Sequence, residues 1–250
     1  LHLLSRRQRQ MCIRDRVEEG WEWGKPVSHE EYINAKNGSW NVLLTPTVFV
    51  PHEWLGSLKG KKILGLASGG GQQMPIFNAL GAECTVLDYS SKQIKSELLI
   101  AEREGYDINA VEGDMTKKFP FADESFDIIF HPVSNCYVED VQHVFNEAYR
   151  VLRKGGSLLS GLNNEINYIV DDEEKEIVWA MPFNPLKDKR ARDFMMAEGS
   201  GMQFSHTMAE QIGGQLKAGF TLIDLYEDTN GIGRLHDMNI KTYIATKSVK

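Results

Sequence analysis

The residues of this chain best placed to do chemistry lie between Ile63 and Asp88, which read ILGLASGGGQQMPIFNALGAECTVLD. A short apolar run ends in a glycine-rich turn, a helix-like segment follows, and a second apolar run ends in an acid. Glycines let the backbone turn sharply and let a ligand lie against it. The start of the following helix offers unpaired N–H groups. An acid closing the second strand can accept hydrogen bonds from both hydroxyls of a ribose, so the pattern is that of a nucleoside site at the C-terminal edge of an open sheet. The dinucleotide string G-x-G-x-x-G is absent. Gly69 and Gly71 are followed at the last position by Met74, and the shifted match Gly65-x-Ala67-x-x-Gly70 is looser. A pyrophosphate cradle is therefore not spelled out. Asp88 has a second reading, as the cap of the next helix.

Other candidates follow later apolar runs. His131-Pro132-Val133-Ser134-Asn135-Cys136-Tyr137 comes after the fourth. His131 offers a general base, with cofactor-pocket lining or turn packing as its alternatives. Asn135 and Tyr137 are candidate substrate contacts. Asp228, Asn230, Arg234 and His236 form a polar group between the last two runs. Arg234 and His236 are substrate candidates there, and a solvated hairpin loop is the plainer reading. His206 reads as a cap or a base. No metal site is expected, because Cys12, Cys84 and Cys136 stand in no C-x-x-C spacing.

The elements that must position these residues alternate as βα units. Strands are expected over 62–67, 83–87, 107–111, 126–130 and 157–162. Helices are expected over 72–80, from Ser90 or Ser91 to 104, and over 139–152, where Gly155-Gly156 ends the last. In the second helix Ile94, Leu98 and Ala101 share the expected apolar face. Strands with continuous apolar centres, alternating with helices, imply a parallel sheet covered on both faces. Residues 163–205 break the rhythm with an acidic run at 171–174 and a cluster that includes Trp179, Phe183, Phe194, Met195 and Met202. They read as a helical insertion packing on itself, as a lid over a substrate pocket, or as both. A helix over 207–218 and strands over 220–226 and 240–246 close the chain. Residues 17–61, with Trp21, Trp23, Tyr32, Trp40 and Trp54, read as short helices capping the sheet.

Composition narrows the function. The 250 residues are 42% hydrophobic and 25% charged, which suits one globular core. No run approaches the ~18 apolar residues of a membrane helix. Residues 6–16, RRQRQMCIRDR, resemble the translation of a transposase-type sequencing adapter and read as non-native, so 1–16 are set aside and the native chain is expected to begin near Val17. Five arginines and one aspartate lie in that segment, which changes the net charge from −7 to −11 for the remainder. So acidic a surface is a poor partner for phosphate backbones, and nucleic acid is not expected as a substrate. Two lone cysteines and no signal peptide fit a reducing cytoplasm.

More of the chain carries a family likeness. Ile63–Gly71 lies on a first motif usually written V-L-D-L-G-C-G-T-G, with Gly69 and Gly71 matching its glycines and Asp88 its ribose-binding acid. Glu112-Gly113-Asp114-Met115, PFADESFDIIF at 120–130 and RVLRKGGSLL at 150–159 match further segments. From about Lys62 to Leu162 the chain resembles the class I S-adenosylmethionine-dependent methyltransferases, particularly the small-molecule branch called methyltransferase domain 11. The resemblance implies an α/β fold with a doubly wound, mostly parallel seven-stranded sheet and an antiparallel last strand. It implies S-adenosyl-L-methionine as cofactor and a small-molecule methyl acceptor. Ala67, Ser68, Gly69, Gly71, Gln73, Asp88, Tyr89, Asp114, Met115 and His131 would line the cofactor, with Asp114 on the adenine amino group. His131, Asn135 and Tyr137 would flank the methyl group. Two positions depart from the family: its first acid is Gly65 here and its first glycine is Ala67. Gln72, Gln73 or the N-terminal segment would then hold the cofactor's amino-acid end. A non-catalytic cofactor-binding module and an NAD-dependent oxidoreductase are the alternatives. No Asp-Pro-Pro-Tyr or Asn-Pro-Pro-Tyr string supports base methylation of nucleic acid.

Overall fold

The computed structural model describes residues 25–197 and 201–250. The expectations for 1–16, Trp21 and Trp23 concern residues outside that range. Seven strands form one sheet in the order β3-β2-β1-β4-β5-β7-β6. They are β1 (Lys62–Leu66), β2 (Glu83–Asp88), β3 (Asn109–Glu112), β4 (Phe126–His131), β5 (Leu152–Asn163), β6 (Thr221–Asp228) and β7 (Tyr243–Val249). The pairs β1–β2, β1–β4, β2–β3 and β4–β5 are parallel, and β7 runs antiparallel to both β5 and β6. Strand order reverses between β1 and β4, and their carboxyl ends open a crevice at that switch point.

Successive side chains of a strand face opposite ways, and this divides the core into two layers. Ile63, Val86, Ile128, Phe130 and Leu159 pack on one face with Phe77 and the N-terminal Leu44, Trp54 and Leu55. Leu64, Leu66, Leu87, Ile129 and Leu158 pack on the other with Val144, Phe145 and Ala148.

The helices are α1 (His29–Lys36), α2 (His52–Leu55), α3 (Met74–Ala79), α4 (Ser91–Glu104), α5 (Val141–Val151), α6 (Lys189–Ala197), α7 (Met208–Ala218) and α8 (Arg234–Asp237). Their ends follow from local chemistry. Pro75 sits in the first turn of α3, where a missing N–H does no harm. Ser90 caps α4, and Gly105 closes it in the left-handed region at φ 71°. Asp140 accepts from the Gln142 and His143 amides at the start of α5, whose buried face is Val141, Val144, Phe145, Ala148 and Val151. Thr207 and Glu210 form a reciprocal capping box on α7.

Several sequence expectations need correction. Gly155-Gly156 does not end α5. The chain turns extended at Leu152 and β5 begins at once. Gly156 serves instead where β5 passes β4, because a Cβ there would stand 3.0 Å from the Asp127 carbonyl. Leu98 is exposed, and Glu97 and Ile100 join Ile94 and Ala101 on the buried face of α4. The segment between β6 and β7 holds α8 rather than loop alone. Among the described residues of 163–205, helix is confined to a 3₁₀ turn at Glu165–Tyr168 and α6.

Candidate active site

β1 delivers the chain into the turn at Ala67, whose φ is 49°. This left-handed conformation suits glycine and is unfavourable for alanine. The Ala67 amide donates to the Leu87 carbonyl at 2.8 Å, which ties the turn to β2. Gly65, at the family's acidic position, is filled from the side: a Cβ there would meet Met74 Sδ and Cε at 2.9 Å. Gly69 is needed for close approach, since its Cβ would meet Gln93 Cβ at 2.8 Å and Asp88 Oδ2 at 2.9 Å. Its amide donates to Asp88 Oδ2 at 2.9 Å, and the Ser90 amide donates to Oδ1 at 2.8 Å. Burial pushes the Asp88 carboxyl above its ordinary value, and these amides oppose the shift.

Gly71 faces away from this cleft. Its amide donates to Glu97 Oε2 at 2.7 Å, and a Cβ would stand 2.7 Å from Ile100 Cγ1. Glu97 is fully buried, and its Oε1 has no hydrogen-bond partner. Burial, assisted by the Asp88 charge, pushes its carboxyl up to about 8, against the opposing Gly71 bond. The sequence reading missed Glu97, because a charged residue on a helix ordinarily reads as a solvated face.

A cavity of about 540 Å³ opens over the carboxyl ends of β1, β2, β4 and β5. Ala67, Ser68, Gly69, Gln73, Asp88 and Tyr89 line it, as do Asp114, Met115 and Tyr137. Ser68 Oγ donates to Gln73 Oε1 at 3.0 Å. Asp114 Oδ1 accepts from the Thr116 amide and hydroxyl at 2.9 and 2.7 Å, which fixes the carboxylate at the wall.

Besides Gly71, four expected site residues, His131, Asn135, Arg234 and His236, stand outside the cavity lining. His131 is fully buried and outside the cavity lining. Ser134 Oγ donates to the Pro132 carbonyl, so the Ser134 oxygen accepts from His131 Nε2–H at 2.7 Å, and His131 Nδ1 is left bare without a partner. Burial pushes the imidazole down to about 4, so it is neutral at pH 7. Asn135 is also fully buried, does not line the cavity, and has no partner for either amide atom. Arg234 and His236 are exposed, and Asn230 and Leu235 take their place on the wall. His206 is structural, with Nε2 donating to the Val138 and Asn135 carbonyls at 2.7 and 3.1 Å. Asp228 is an anchor: its carboxylate accepts the Thr47 and Val48 amides at 2.7 and 3.0 Å. That holds residues 43–46 against the cavity, a wall the sequence reading offered only as the N-terminal segment at large. The same segment crosses β5 at Gly161, where a Cβ would collide with the Leu44 carbonyl.

Beyond the cofactor cleft the cavity runs under residues 163–205. Tyr168, Trp179, Phe183 and Phe194 line this end. Trp179 and Phe183 meet edge to face with centroids 5.3 Å apart. Glu174 ties the segment down, its Oε2 accepting the Leu235 amide at 2.7 Å and its Oε1 accepting Asn230 Nδ2 at 3.2 Å.

Similarity to known proteins agrees with this geometry. Residues 64–160 match the family described as a methyltransferase domain. The chain is 41% identical over 242 residues to the uncharacterized methyltransferase YbaJ of Bacillus subtilis (strain 168), covering 94% of each chain. It is 29% identical to the ubiquinone/menaquinone biosynthesis C-methyltransferase UbiE of Cereibacter sphaeroides (strain ATCC 17029), covering 74% of this chain and 76% of that one. In fold it is similar to an S-adenosylmethionine-dependent methyltransferase from Mesorhizobium loti. The TM-score is 0.62 at 17% identity, over 80% of this chain and 95% of that one. With its reversed strand order, glycine turn and Asp88-lined cavity, this chain belongs to the class I S-adenosylmethionine-dependent methyltransferases.

Proposed function

We propose that Asp88 grips the cofactor's ribose, that Asp114 and Met115 flank its adenine, and that the methyl acceptor lies under residues 163–205. The supporting observation is the continuity of one cavity from Asp88 and Gly69 to the aromatic wall. The cleft suits a nucleoside: Gly69 and Gly113, where a Cβ would strike Asp88 and Leu87, let both loops close in beside the Asp88 carboxylate at the cavity wall. Ala67, Ser68, Gln73 and Tyr89 complete the cofactor contacts in this reading.

When bound, S-adenosylmethionine supplies a methyl group already activated on a sulfonium. The protein's task is alignment and exclusion of water, and alignment alone is worth roughly 7–11 kcal/mol. No histidine reaches the cavity among the described residues, so the reading assigns no histidine base. Tyr137, on the turn after β4, is the sequence candidate kept beside the acceptor. The acceptor is a small molecule and not nucleic acid, in line with the acidic chain. Two buried free cysteines support a cytoplasmic setting. No helix among the described residues is long and apolar enough to cross a membrane.

The test is titration calorimetry with S-adenosylhomocysteine. Asp88→Ala should weaken binding about a hundredfold, since hydrogen bonds to a charged acceptor contribute about 1.5–3 kcal/mol each. Unchanged affinity would remove Asp88 from the site.

A further inference from the structure

The acceptor end of the cavity has an uneven chemistry. Tyr168, Trp179, Phe183 and Phe194 form one connected aromatic wall. Tyr168 stacks on Phe183 at 5.5 Å, and Trp179 meets Phe183 at 5.3 Å and Phe194 at 5.1 Å. Trp179 already carries a cation on one side, the Arg190 guanidinium at 4.3 Å, and Arg190 does not line the cavity. Among the described residues, no lysine, arginine or histidine lines the cavity at all, whereas Asp88, Asp114, Asp171, Asp172 and Glu174 do.

A polar relay fixes this wall in place. Tyr168 Oη donates to Gln203 Oε1 at 3.1 Å, so Asn163 Nδ2 must donate to Tyr168 Oη, at 2.7 Å. Asn163 lines the cavity, is only 4% exposed, and its Oδ1 has no partner. That oxygen is closed off from the cavity, so the relay serves to hold the Tyr168 ring in the wall. An anionic ligand would meet protein carboxylates and no protein counter-charge. A phenolate or enolate nucleophile would have the cofactor's sulfonium alone to stabilise it. A neutral amine needs none, and it becomes positive as it is methylated, beside π faces and acids that favour a cation.

We infer that the methyl acceptor is an amine carried on an apolar or aromatic body, methylated on nitrogen. The inference rests on the methyltransferase reading above and names its substrate class. In the transfer, the nitrogen lone pair forms the new N–C bond as the S–C bond breaks. The S–C electron pair stays on sulfur, which leaves neutral S-adenosylhomocysteine. The nitrogen becomes an ammonium. An alkylamine that arrives as its ammonium gives one proton to solvent before attack, which frees the lone pair, and the methylated product stays cationic, as an ammonium or, from a tertiary amine, a quaternary ammonium.

The test is calorimetry on protein saturated with S-adenosylhomocysteine, using two matched series: benzylamine, benzyl alcohol and benzoate, then tryptamine, tryptophol and indole-3-propionate. The amine of at least one series should bind about tenfold more tightly than its alcohol, and the carboxylates should give no saturable heat. Trp179→Leu should weaken amine binding about tenfold with S-adenosylhomocysteine affinity unchanged, and Trp179→Phe should restore most of it. An alcohol or carboxylate that binds as tightly as its amine in both series overturns the proposal. So does failure of both amines on protein that has bound S-adenosylhomocysteine. Failure of the unsubstituted protein to bind S-adenosylhomocysteine is a separate result, which removes the methyltransferase reading and this proposal with it.

Discussion

Glu97→Gln should erase a pH dependence built into the wall behind the glycine turn. The Glu97 carboxyl is fully buried, and burial, with the Asp88 charge adding, holds it at about 8 instead of 4.5. The unfolded chain releases this proton near its ordinary value, whereas the folded chain keeps it to about 8. Between these values the unfolded state binds fewer protons, so the stability this group contributes is full below its unfolded value and falls as pH rises. One proton of difference is worth about 1.4 kcal/mol per pH unit. From pH 5 to pH 8 the ceiling is roughly 4 kcal/mol, and discounting by half for coupling to Asp88 leaves roughly 2. Glutamine keeps an oxygen for the Gly71 amide but does not titrate. It also buries an NH₂ that needs partners, so the informative quantity is the slope with pH and not the absolute stability. Other groups, His131 included, titrate in both proteins and cancel in the comparison. At about 2–4 °C per kcal/mol for a chain of this size, the wild-type melting temperature should fall by roughly 4–8 °C more than that of the variant across this window. Calorimetric melts at constant ionic strength measure it. Parallel slopes would show Glu97 ionised in the fold and refute the burial argument.

Ala67→Gly relieves a left-handed alanine and should raise stability by about 1 kcal/mol; an unchanged or lower melting temperature would contradict the φ of 49°. His131→Asn should leave kcat within about threefold while lowering stability by about 2 kcal/mol, because the ring is packed outside the cavity; a loss of kcat with stability intact would restore His131 to the chemistry. Glu174→Ala removes the acceptor for the Leu235 amide and Asn230. Hydrogen exchange at residues 169–178 should then accelerate about tenfold, with S-adenosylhomocysteine affinity held; unchanged exchange would show that Glu174 does not hold the segment down.

Local patterns settled much of this protein before folding. Apolar runs of strand length, Pro75 at a helix start, Gly105 and Gly219 at helix ends, and the capping residues Ser90 and Thr207 each act within a few residues, so the βα order was legible. Asp88 was legible too, because a strand end and a glycine turn one βα unit apart fix its place at the sheet edge. Side-chain direction was not legible where long-range packing decides it. His131 ends β4 and Asn135 opens the turn that follows, both at the crevice, yet both side chains are drawn into the protein, where Ser134 bonds the His131 ring and the Asn135 carbonyl accepts from His206. Glu97 reads as a surface residue until α4 packs it against Gly71. The wall at residues 43–46 exists because Asp228, some 180 positions away, accepts two of its neighbouring amides. Hydrophobic period and caps are short-range quantities written into the chain itself. The burial of a charge, and the choice of which polar groups meet a cavity, depend on what distant segments bring to the same place, and only the tertiary structure decides that.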